Sequence, residues 1–236
     1  MNPNKALWEK GDFTEIAAFM RESGEEFVQS IGITPPLRAL DLGCGDGTTA
    51  MPLALLGAEV TGIDIARNLV EAGNRRAAEA GLSRLTFQEG DACNLEEVSD
   101  HAFDLTLSIF GAMFAPKPFD VAKEMVRVTK QGGHIVMGNW IPNDPTFVSQ
   151  LLKVSSTFTP PSPEGFVSPM TWGVHTLIDL FRRFYGPTMN AFDAAEKNGR
   201  VEEIHSQLLE LANAQNTNTD GGTSIPATFL RVTVSL

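Results

Sequence analysis

Short apolar segments alternate with longer amphipathic segments along the first 140 residues of the chain. The runs Leu37 to Leu42, Ala58 to Ile65 and Leu85 to Gln88 have the length and apolar character of strands that are covered on both faces. A helix is predicted from Thr48 to Leu56, and Phe119 to Thr129 has the apolar spacing of a second helix. This second helix is expected to stop at the glycine pair Gly132-Gly133, before a fifth strand from His134 to Trp140. The pattern predicts an α/β fold on a mostly parallel sheet.

The segment between the first strand and the first helix is rich in glycine. It reads Leu-Asp-Leu-Gly-Cys-Gly-Asp-Gly from Leu40 to Gly47, with glycine at three alternate positions. Glycine lets the backbone turn sharply and leaves no side chain between the main chain and a ligand. Asp41 stands just before the turn, at an apolar strand end where a buried carboxylate needs a partner. The segment therefore indicates a loop that binds a nucleotide-type cofactor.

The glycine loop alone leaves the identity of this cofactor open. In one register, Gly45 to Ala50 matches the G-x-G-x-x-A pattern of dinucleotide-binding proteins. In the register that begins at Gly43, Thr48 occupies the position of the last glycine, and the pattern fails. A dinucleotide and another adenosine-containing cofactor both fit the loop.

Two further carboxylates follow the next two predicted strands. Asp64 ends the second strand, about 20 residues beyond the loop, where a carboxylate can accept both ribose hydroxyls of an adenosine. Asp91 follows the third strand, at the edge of the sheet where open α/β proteins bind their ligands. We expect Asp91 to accept a hydrogen bond from an adenine amino group.

These acidic positions, in this order and spacing, resemble those of the class I S-adenosylmethionine (SAM)-dependent methyltransferases. The resemblance rests on Leu40 to Gly47, Val60 to Ala66 and Glu89 to Leu95. It implies a Rossmann-like, doubly wound fold with SAM as cofactor and S-adenosylhomocysteine (SAH) as product. Phe103 to Phe114 resembles the fourth strand and methyl-transfer loop of the small-molecule enzymes related to ubiquinone and menaquinone biosynthesis. Leu7 to Phe13 resembles the helix that these enzymes fold over the cofactor.

The resemblance also assigns parts of the cofactor to residues of this chain. Asp41 and the loop backbone would hold the methionine end, and Asp64 would bind the ribose. Asp91 would bind the adenine, and the main chain from Ser108 to Gly111 would lie beside the reactive methyl group. The expected cofactor-binding residues are Asp41, Gly43, Cys44, Gly45, Asp64, Ile65, Asp91, Ala92, Ser108 and Phe110.

Apolar and aromatic residues outside these segments are candidates for the pocket of the methyl acceptor, because ligand sites are lined mainly by such side chains. Each of them could equally belong to the core. His175 is the one candidate general base, which methyl transfer needs only when the nucleophile must first lose a proton. The candidate pocket residues are Trp8, Met113, Trp140, Trp172 and Tyr185.

The whole chain is expected to form a single methyltransferase domain with a helical cap. The expected parts are an amino-terminal cap helix in residues 1–30, a SAM-binding core in 37–140, the helical cap in 141–225 and a terminal strand in 227–236. This fold type normally has seven strands, and no sixth strand is evident between Phe181 and Tyr185. Either the strand is lost or the sequence lacks a segment there, and we favour a missing segment.

Charge and composition narrow the class of partner. The 236 residues carry a formal net charge of -11, which argues against a sequence-independent nucleic-acid binder and against attachment to anionic membranes. No apolar run reaches transmembrane length, and the two cysteines, Cys44 and Cys93, show no metal-ligand spacing. We expect a cytoplasmic monomer or homodimer that acts on a small-molecule acceptor, without a metal.

Two other functions stay open at the level of the sequence. A nicotinamide-dependent oxidoreductase fits the register from Gly45 to Ala50 and fits Asp64. That function gives Asp91 no role, and the chain shows no paired Tyr/Lys or His/Asp set for hydride transfer. A non-catalytic SAM-binding protein would share the entire cofactor site with a methyltransferase.

Overall fold

The computed structural model describes residues 4–140, 144–145, 147–159, 182, 186–215, 217 and 229–236. The chain divides into two compact units, Met1–Asn139 with Arg231–Leu236, and Trp140–Leu230. Because each unit is described by itself, the expectation of one domain with a cap stays a prediction.

A six-stranded sheet is the main feature of the fold. Its strands are β1 (Arg38–Leu42), β2 (Glu59–Asp64), β3 (Leu85–Glu89), β4 (Phe103–Ile109), β5 (Thr129–Trp140) and β6 (Phe229–Ser235). The order across the sheet is β3-β2-β1-β4-β5-β6, and β1 to β5 pair in parallel. The order reverses between β1 and β4, which is the switch point where doubly wound sheets bind ligands. The predicted Rossmann-like, mostly parallel fold is confirmed.

Helices of the first unit connect these strands and cover their faces. They are α1 (Asn4–Trp8), α2 (Thr14–Ile31), α3 (Ala50–Leu55), α4 (Arg67–Glu79) and α5 (Pro118–Val128), with a short 3₁₀ turn at Ala112–Phe114. Helix α5 shows the usual pattern, because its buried side chains Val121, Met125 and Val128 recur at helical spacing. None of the described helices is both long enough and apolar enough to cross a membrane.

The central strand β1 contributes side chains to two cores, one on each face of the sheet. Ala39 belongs to the cluster that contains Leu105 and Leu107 of β4, together with side chains of α3. Leu40 and Leu42 point to the other face and join the cluster that contains the buried side chains of α5. This two-sided burial explains why the strand is apolar almost throughout, and why its one acidic residue stands out.

The last strand lies at the edge of the sheet beside β5 and runs antiparallel to it. The N–H of Gly132 donates to the carbonyl of Leu236 at 2.8 Å, and the N–H of Leu236 donates to the carbonyl of Gly133 at 3.1 Å. The terminal strand predicted in residues 227–236 is therefore present.

The expectation that no sixth strand is evident needs a correction, since the described sheet has six strands and the terminal one is the sixth. We counted that terminal segment as the seventh strand of the fold type. The segment from Phe181 to Tyr185, where we looked for the sixth strand, lies outside the described residues apart from Arg182, which is helical. A missing segment there stays a prediction.

The second unit is helical where it is described. Its helices are α6 (Phe147–Ser156), α7 (Gly186–Lys197) and α8 (Val201–Gln215), and each contacts the other two. Several large side chains on these helices are at most 5% exposed, among them Phe147, Leu151, Phe192, Ile204 and Leu208. These helices lie inside the range predicted as a helical cap.

The core of the sheet yields a stability prediction. Leu107 of β4 is completely buried, so Leu107→Ala should lower the free energy of unfolding by about 2–5 kcal/mol through lost burial and the cavity left behind. Leu55 is the matched control, because its side chain is 67% exposed and its truncation should cost less than about 0.5 kcal/mol. Urea unfolding of both variants measures the difference, and equal losses would contradict the described burial.

Candidate functional site

The glycine loop begins at the end of β1 and is held by backbone hydrogen bonds to β2. The N–H groups of Gly43 and Cys44 donate to the carbonyl of Ile63, at 2.7 and 3.3 Å. Gly45 adopts a left-handed φ of 55°, and a Cβ built on it would meet no atom within 4 Å. The loop is thus held from below by β2 while the backbone at Gly45 borders open space, as a ligand-binding loop requires.

Gly43 has a different reason to be glycine, because it packs directly against the loop that follows β4. A Cβ on Gly43 would lie 2.6 Å from Cα of Gly111. Its φ of 73° adds strain for any other residue. The two loops at the switch point therefore touch through bare main chain.

Asp64 joins the ends of β1 and β2 through its carboxylate. Its Oδ2 accepts the N–H of Gly45 at 2.8 Å, and its Oδ1 accepts the N–H of Ala66 at 2.9 Å. Burial raises the pKa of Asp64, and these backbone hydrogen bonds counteract part of that rise. The residue lies where the sequence predicted it, and it also shapes the glycine loop, which the sequence did not reveal.

Asp41 lies beneath the loop and is 1% exposed. Its Oδ2 accepts the hydroxyl of Thr49 at 2.6 Å, whereas its Oδ1 is buried without a hydrogen-bond partner among the described residues. Burial, with a smaller contribution from the nearby charge of Asp64, raises the pKa of Asp41 to about 7. A cation that approached Oδ1 would relieve this unfavourable ionisation.

Cys44 turns its side chain inward, away from any ligand. It is 5% exposed, and a Cβ built on Gly62 of β2 would lie 2.9 Å from its Sγ. Burial raises the pKa of this thiol well above its ordinary value. Only the main chain of Cys44 is in a position to act in the loop.

The expected adenine end lies after β3. The Oδ1 of Asp91 accepts the N–H of Cys93 at 2.9 Å, and Asp91 forms an isolated bridge with Asn94. Both Asp91 and Ala92 are half-buried, so they border solvent at the carboxyl edge of the sheet. The structure thus gives Asp91 a turn-forming role, and its contact with adenine stays a prediction.

Ser108 ties the end of β4 to the end of β1. Its hydroxyl donates to the carbonyl of Leu42 at 2.6 Å and accepts the N–H of Ala112 at 2.8 Å. In the next turn, Phe110 adopts a left-handed conformation with a φ of 55°. The N–H of Phe110 donates to the carbonyl of Gly138 in β5 at 2.9 Å. The hydroxyl of Ser108 is therefore used within the protein, and a contact with the cofactor would come from the main chain.

The amino-terminal segment lies across the carboxyl ends of β2, β3 and β4. The Nζ of Lys5 donates to the carbonyl of Ile65 at 3.0 Å and pairs with Glu89 at 2.5 Å. The hydrogen bond that Lys5 donates to Glu89, together with one from Arg67, lowers the pKa of Glu89. Trp8 packs edge-on against Phe114, with ring centroids 4.8 Å apart. The segment from Leu7 to Phe13 that resembles the cap helix is helical only as far as Trp8, because α1 ends there and α2 begins at Thr14. Lys5 was missed by the sequence analysis.

A second cluster of charged residues that the sequence analysis missed surrounds Asp46, inside the glycine loop. Its carboxylate is completely buried, and its Oδ2 lies 3.0 Å from Arg21 of α2 and 3.1 Å from Arg76 of α4. Arg76 also donates to the carbonyl of Asp46 at 2.5 Å. The only sign of this cluster in the sequence was a charged residue between two loop glycines. That sign did not identify Arg21 or Arg76 as its partners.

The candidate acceptor pocket is described only in part. Trp8 and Met113 are half-buried in the first unit, and Trp140, at the end of β5, is 5% exposed. Trp172, Tyr185 and the candidate base His175 lie outside the described residues. The structure packs Trp8 against Phe114 in the loop after β4, and all five pocket residues stay predictions.

Comparisons with known proteins agree with this geometry. A model of the methyltransferase domain matches residues 40–137. An uncharacterised protein of Mycobacterium tuberculosis is 30% identical over 240 residues, covering 88% of this chain and 86% of that protein. A demethylmenaquinone methyltransferase of Renibacterium salmoninarum is 33% identical over 120 residues, covering 51% of this chain and 47% of that enzyme. The solved YcgJ protein of Bacillus subtilis shares the fold, with a TM-score of 0.53 and 18% identity over 84% of this chain and 85% of its own.

The chain contains a class I SAM-dependent methyltransferase domain. The methyltransferase model starts within β1 and ends within β5, so it includes the glycine loop, Asp64, Asp91 and Ser108. The chain is therefore an enzyme that uses SAM, and its residues fit this cofactor. The unpartnered Oδ1 of Asp41 suits the ammonium of the methionine end, and the open space at Gly45 leaves room beside the loop.

The raised pKa of Asp41 makes a pH prediction. The unfolded carboxyl ionises near 3.8 and the folded one near 7, so the folded state binds more protons between these values. Stability should therefore fall as the pH rises from about 4 to about 7 and then level off. Asp41→Asn keeps an acceptor for Thr49 and removes this titration.

Chemical unfolding of the wild-type protein and Asp41→Asn at several pH values measures the effect. We expect the wild type to lose stability relative to the variant across the window from about pH 4 to about 7. A difference that stays constant, or that grows in favour of the wild type as the pH rises, would show that the pKa of Asp41 is not raised.

Proposed function

We propose that this enzyme transfers the methyl group of SAM to a small, largely apolar organic acceptor. The observation that carries the proposal is the aromatic group formed by Trp8, Phe13 and Phe114 beside the loop after β4. The ring centroids of Trp8 lie 5.8 Å from those of Phe13 and 4.8 Å from those of Phe114, both edge-on. Such a wall suits a flat or apolar compound, since pockets for small molecules are mostly apolar and aromatic.

The roles of the cofactor-binding residues follow from their positions. Asp64 would accept the ribose hydroxyls on lone pairs not used by the N–H groups of Gly45 and Ala66. Asp41 would face the ammonium of the methionine end, and Asp91 with Ala92 would border the adenine. The main chain from Ser108 to Phe110 would lie next to the methyl group, because its loop touches the glycine loop at Gly43.

The cofactor, when bound, supplies an activated methyl group that a nucleophile displaces in line. The protein then has mainly to hold donor and acceptor in line, and such positioning can supply about 7 kcal/mol or more of the barrier. The described histidines of the first unit, His101 and His134, do not offer a base at this site. His101 contacts the carbonyl of Thr129, and His134 contacts Ser235 of the edge strand. The proposed catalysis therefore rests on the positioning of donor and acceptor. A general base, where the acceptor needs one, would be a residue other than these two histidines.

One of the relatives supports a small acceptor. The partial relative from Renibacterium salmoninarum is called a demethylmenaquinone methyltransferase, so its acceptor is an apolar ring compound. The net charge of -11 gives no electrostatic reason for a nucleic-acid acceptor. An oxidoreductase would leave Asp91 without a role, and the family match from β1 to β5 favours methyl transfer.

Binding of the cofactor can be measured directly by calorimetry. We expect micromolar binding of SAH and SAM and no binding of NADH. Asp64→Ala and Asp91→Ala should each weaken SAH binding at least about tenfold, as lost hydrogen bonds to a charged group imply. Asp100→Ala is the matched control, because this carboxylate is 66% exposed and is not among the residues proposed to bind the cofactor or the acceptor.

Because Asp64 also holds the loop, the melting temperature of each variant should be recorded beside its affinity. Weakening by Asp91→Ala, whose hydrogen bond goes to the N–H of Cys93, separates ligand contact from the support that Asp64 gives the loop. Binding of NADH alone would overturn the assignment of the cofactor roles.

The class of acceptor can be tested with methyl-labelled SAM. The enzyme should transfer label to compounds in the small-molecule fraction of a cell extract that extract into organic solvent. Label in protein or nucleic acid, or label only in water-soluble metabolites, would contradict a small apolar acceptor. Asp64→Ala serves as the inactive control in the same assay.

A further inference from the structure

Helix α2 lies directly on the glycine loop. Ala17, Arg21, Gly24 and Val28 recur at helical spacing on one face of this helix, and all but Arg21 are buried. Gly24 is where the two main chains meet, since a Cβ built there would lie 2.6 Å from the carbonyl oxygen of Thr48. This contact places Arg21, one turn earlier on the same face, over the middle of the loop.

Arg21 and Arg76 share Asp46 but are used differently. Arg76 is 23% exposed and holds both the carboxylate and the main-chain carbonyl of Asp46. Arg21 touches the carboxylate through Nη2 alone, and its side chain is 43% exposed. Among the described contacts, the other donors of the Arg21 guanidinium are not committed, and a guanidinium has five N–H donors.

The loop itself has few donors left for an anionic group. Four of its N–H groups already donate within the protein, namely those of Gly43, Cys44, Gly45 and Gly47. Three buried carboxylates, Asp41, Asp46 and Asp64, also lie at or under the loop. The methionine end of SAM carries an ammonium, which these carboxylates favour, and a carboxylate, which they repel. The carboxylate therefore needs a cation from outside the loop.

We propose that Arg21 binds the carboxylate of the methionine end of the cofactor, so that α2 forms one wall of this subsite. The inference rests on the proposed placement of the methionine end at Asp41 and the glycine loop. Asp46 orients Arg21 by holding one of its nitrogens, and Arg76 holds Asp46 in turn. Arg21 is then a binding residue, while Asp46 and Arg76 are positioning residues.

Two ligands that differ only at the methionine end test this proposal. SAH carries the amino-acid group, and 5′-methylthioadenosine lacks it while keeping the adenosine and the sulfur. Arg21→Met should lower the affinity for SAH at least about tenfold and change the affinity for 5′-methylthioadenosine less than about twofold. Arg21→Lys keeps the charge without the forked geometry and should restore part of the SAH affinity.

Arg76→Met is the matched control, because it removes the other partner of Asp46 and the same charge. It should change the affinities for SAH and 5′-methylthioadenosine by the same factor, since Arg76 acts only through the loop. An equal loss of affinity for both ligands in Arg21→Met would show that Arg21 has only a structural role and would overturn the inference. Unchanged SAH affinity would overturn it as well. If the wild type bound 5′-methylthioadenosine but not SAH, the proposed placement of the methionine end would fail first.

Discussion

The direct approach of main chain to main chain between Gly43 and Gly111 fixes the geometry of the cofactor edge. A Cβ on Gly43 would lie 2.6 Å from Cα of Gly111, so the loops after β1 and β4 can meet only if neither carries a side chain there. The hydroxyl of Ser108 then bridges the same two loops through Leu42 and Ala112. Donor and acceptor would be held on these two loops, so their separation is set by a contact that has almost no freedom to vary.

Buried carboxylates are the second constraint, and each is stabilised in a different way. Asp64 accepts two backbone N–H groups, and Asp46 lies between two guanidinium groups. Asp41 has one hydroxyl partner and an unpaired oxygen, so burial raises its pKa to about 7. An ion that is poorly compensated in the free protein gains most from a cation, which makes Asp41 the carboxylate most sensitive to the ligand.

The sequence predicted the parts of the fold that depend on local pattern. The first three strands were placed within one or two residues, because each is an apolar run bounded by a turn. The start of β5 was wrong: the strand begins at Thr129 and not at His134, because Gly132 and Gly133 looked like a helix end although Gly132 pairs with the terminal strand. A glycine pair signals a break in pattern, and only the pairing partner decides whether the strand continues through it.

The candidate site also contains residues that a local sequence pattern marks and residues that it does not. Asp41, Asp64 and Asp91 were predictable because they end strands at fixed spacing from a recognisable loop. Lys5 and Arg21 were not, since each acts from the amino-terminal helices on residues far along the chain, and nothing local marks it. Both are cations on a chain with a net charge of -11, and they pair with Glu89 at the end of β3 and with Asp46 in the glycine loop. The acidic cofactor edge thus depends on positive charge carried in from α1 and α2, so these helices belong to the electrostatics of the site as well as to its cover.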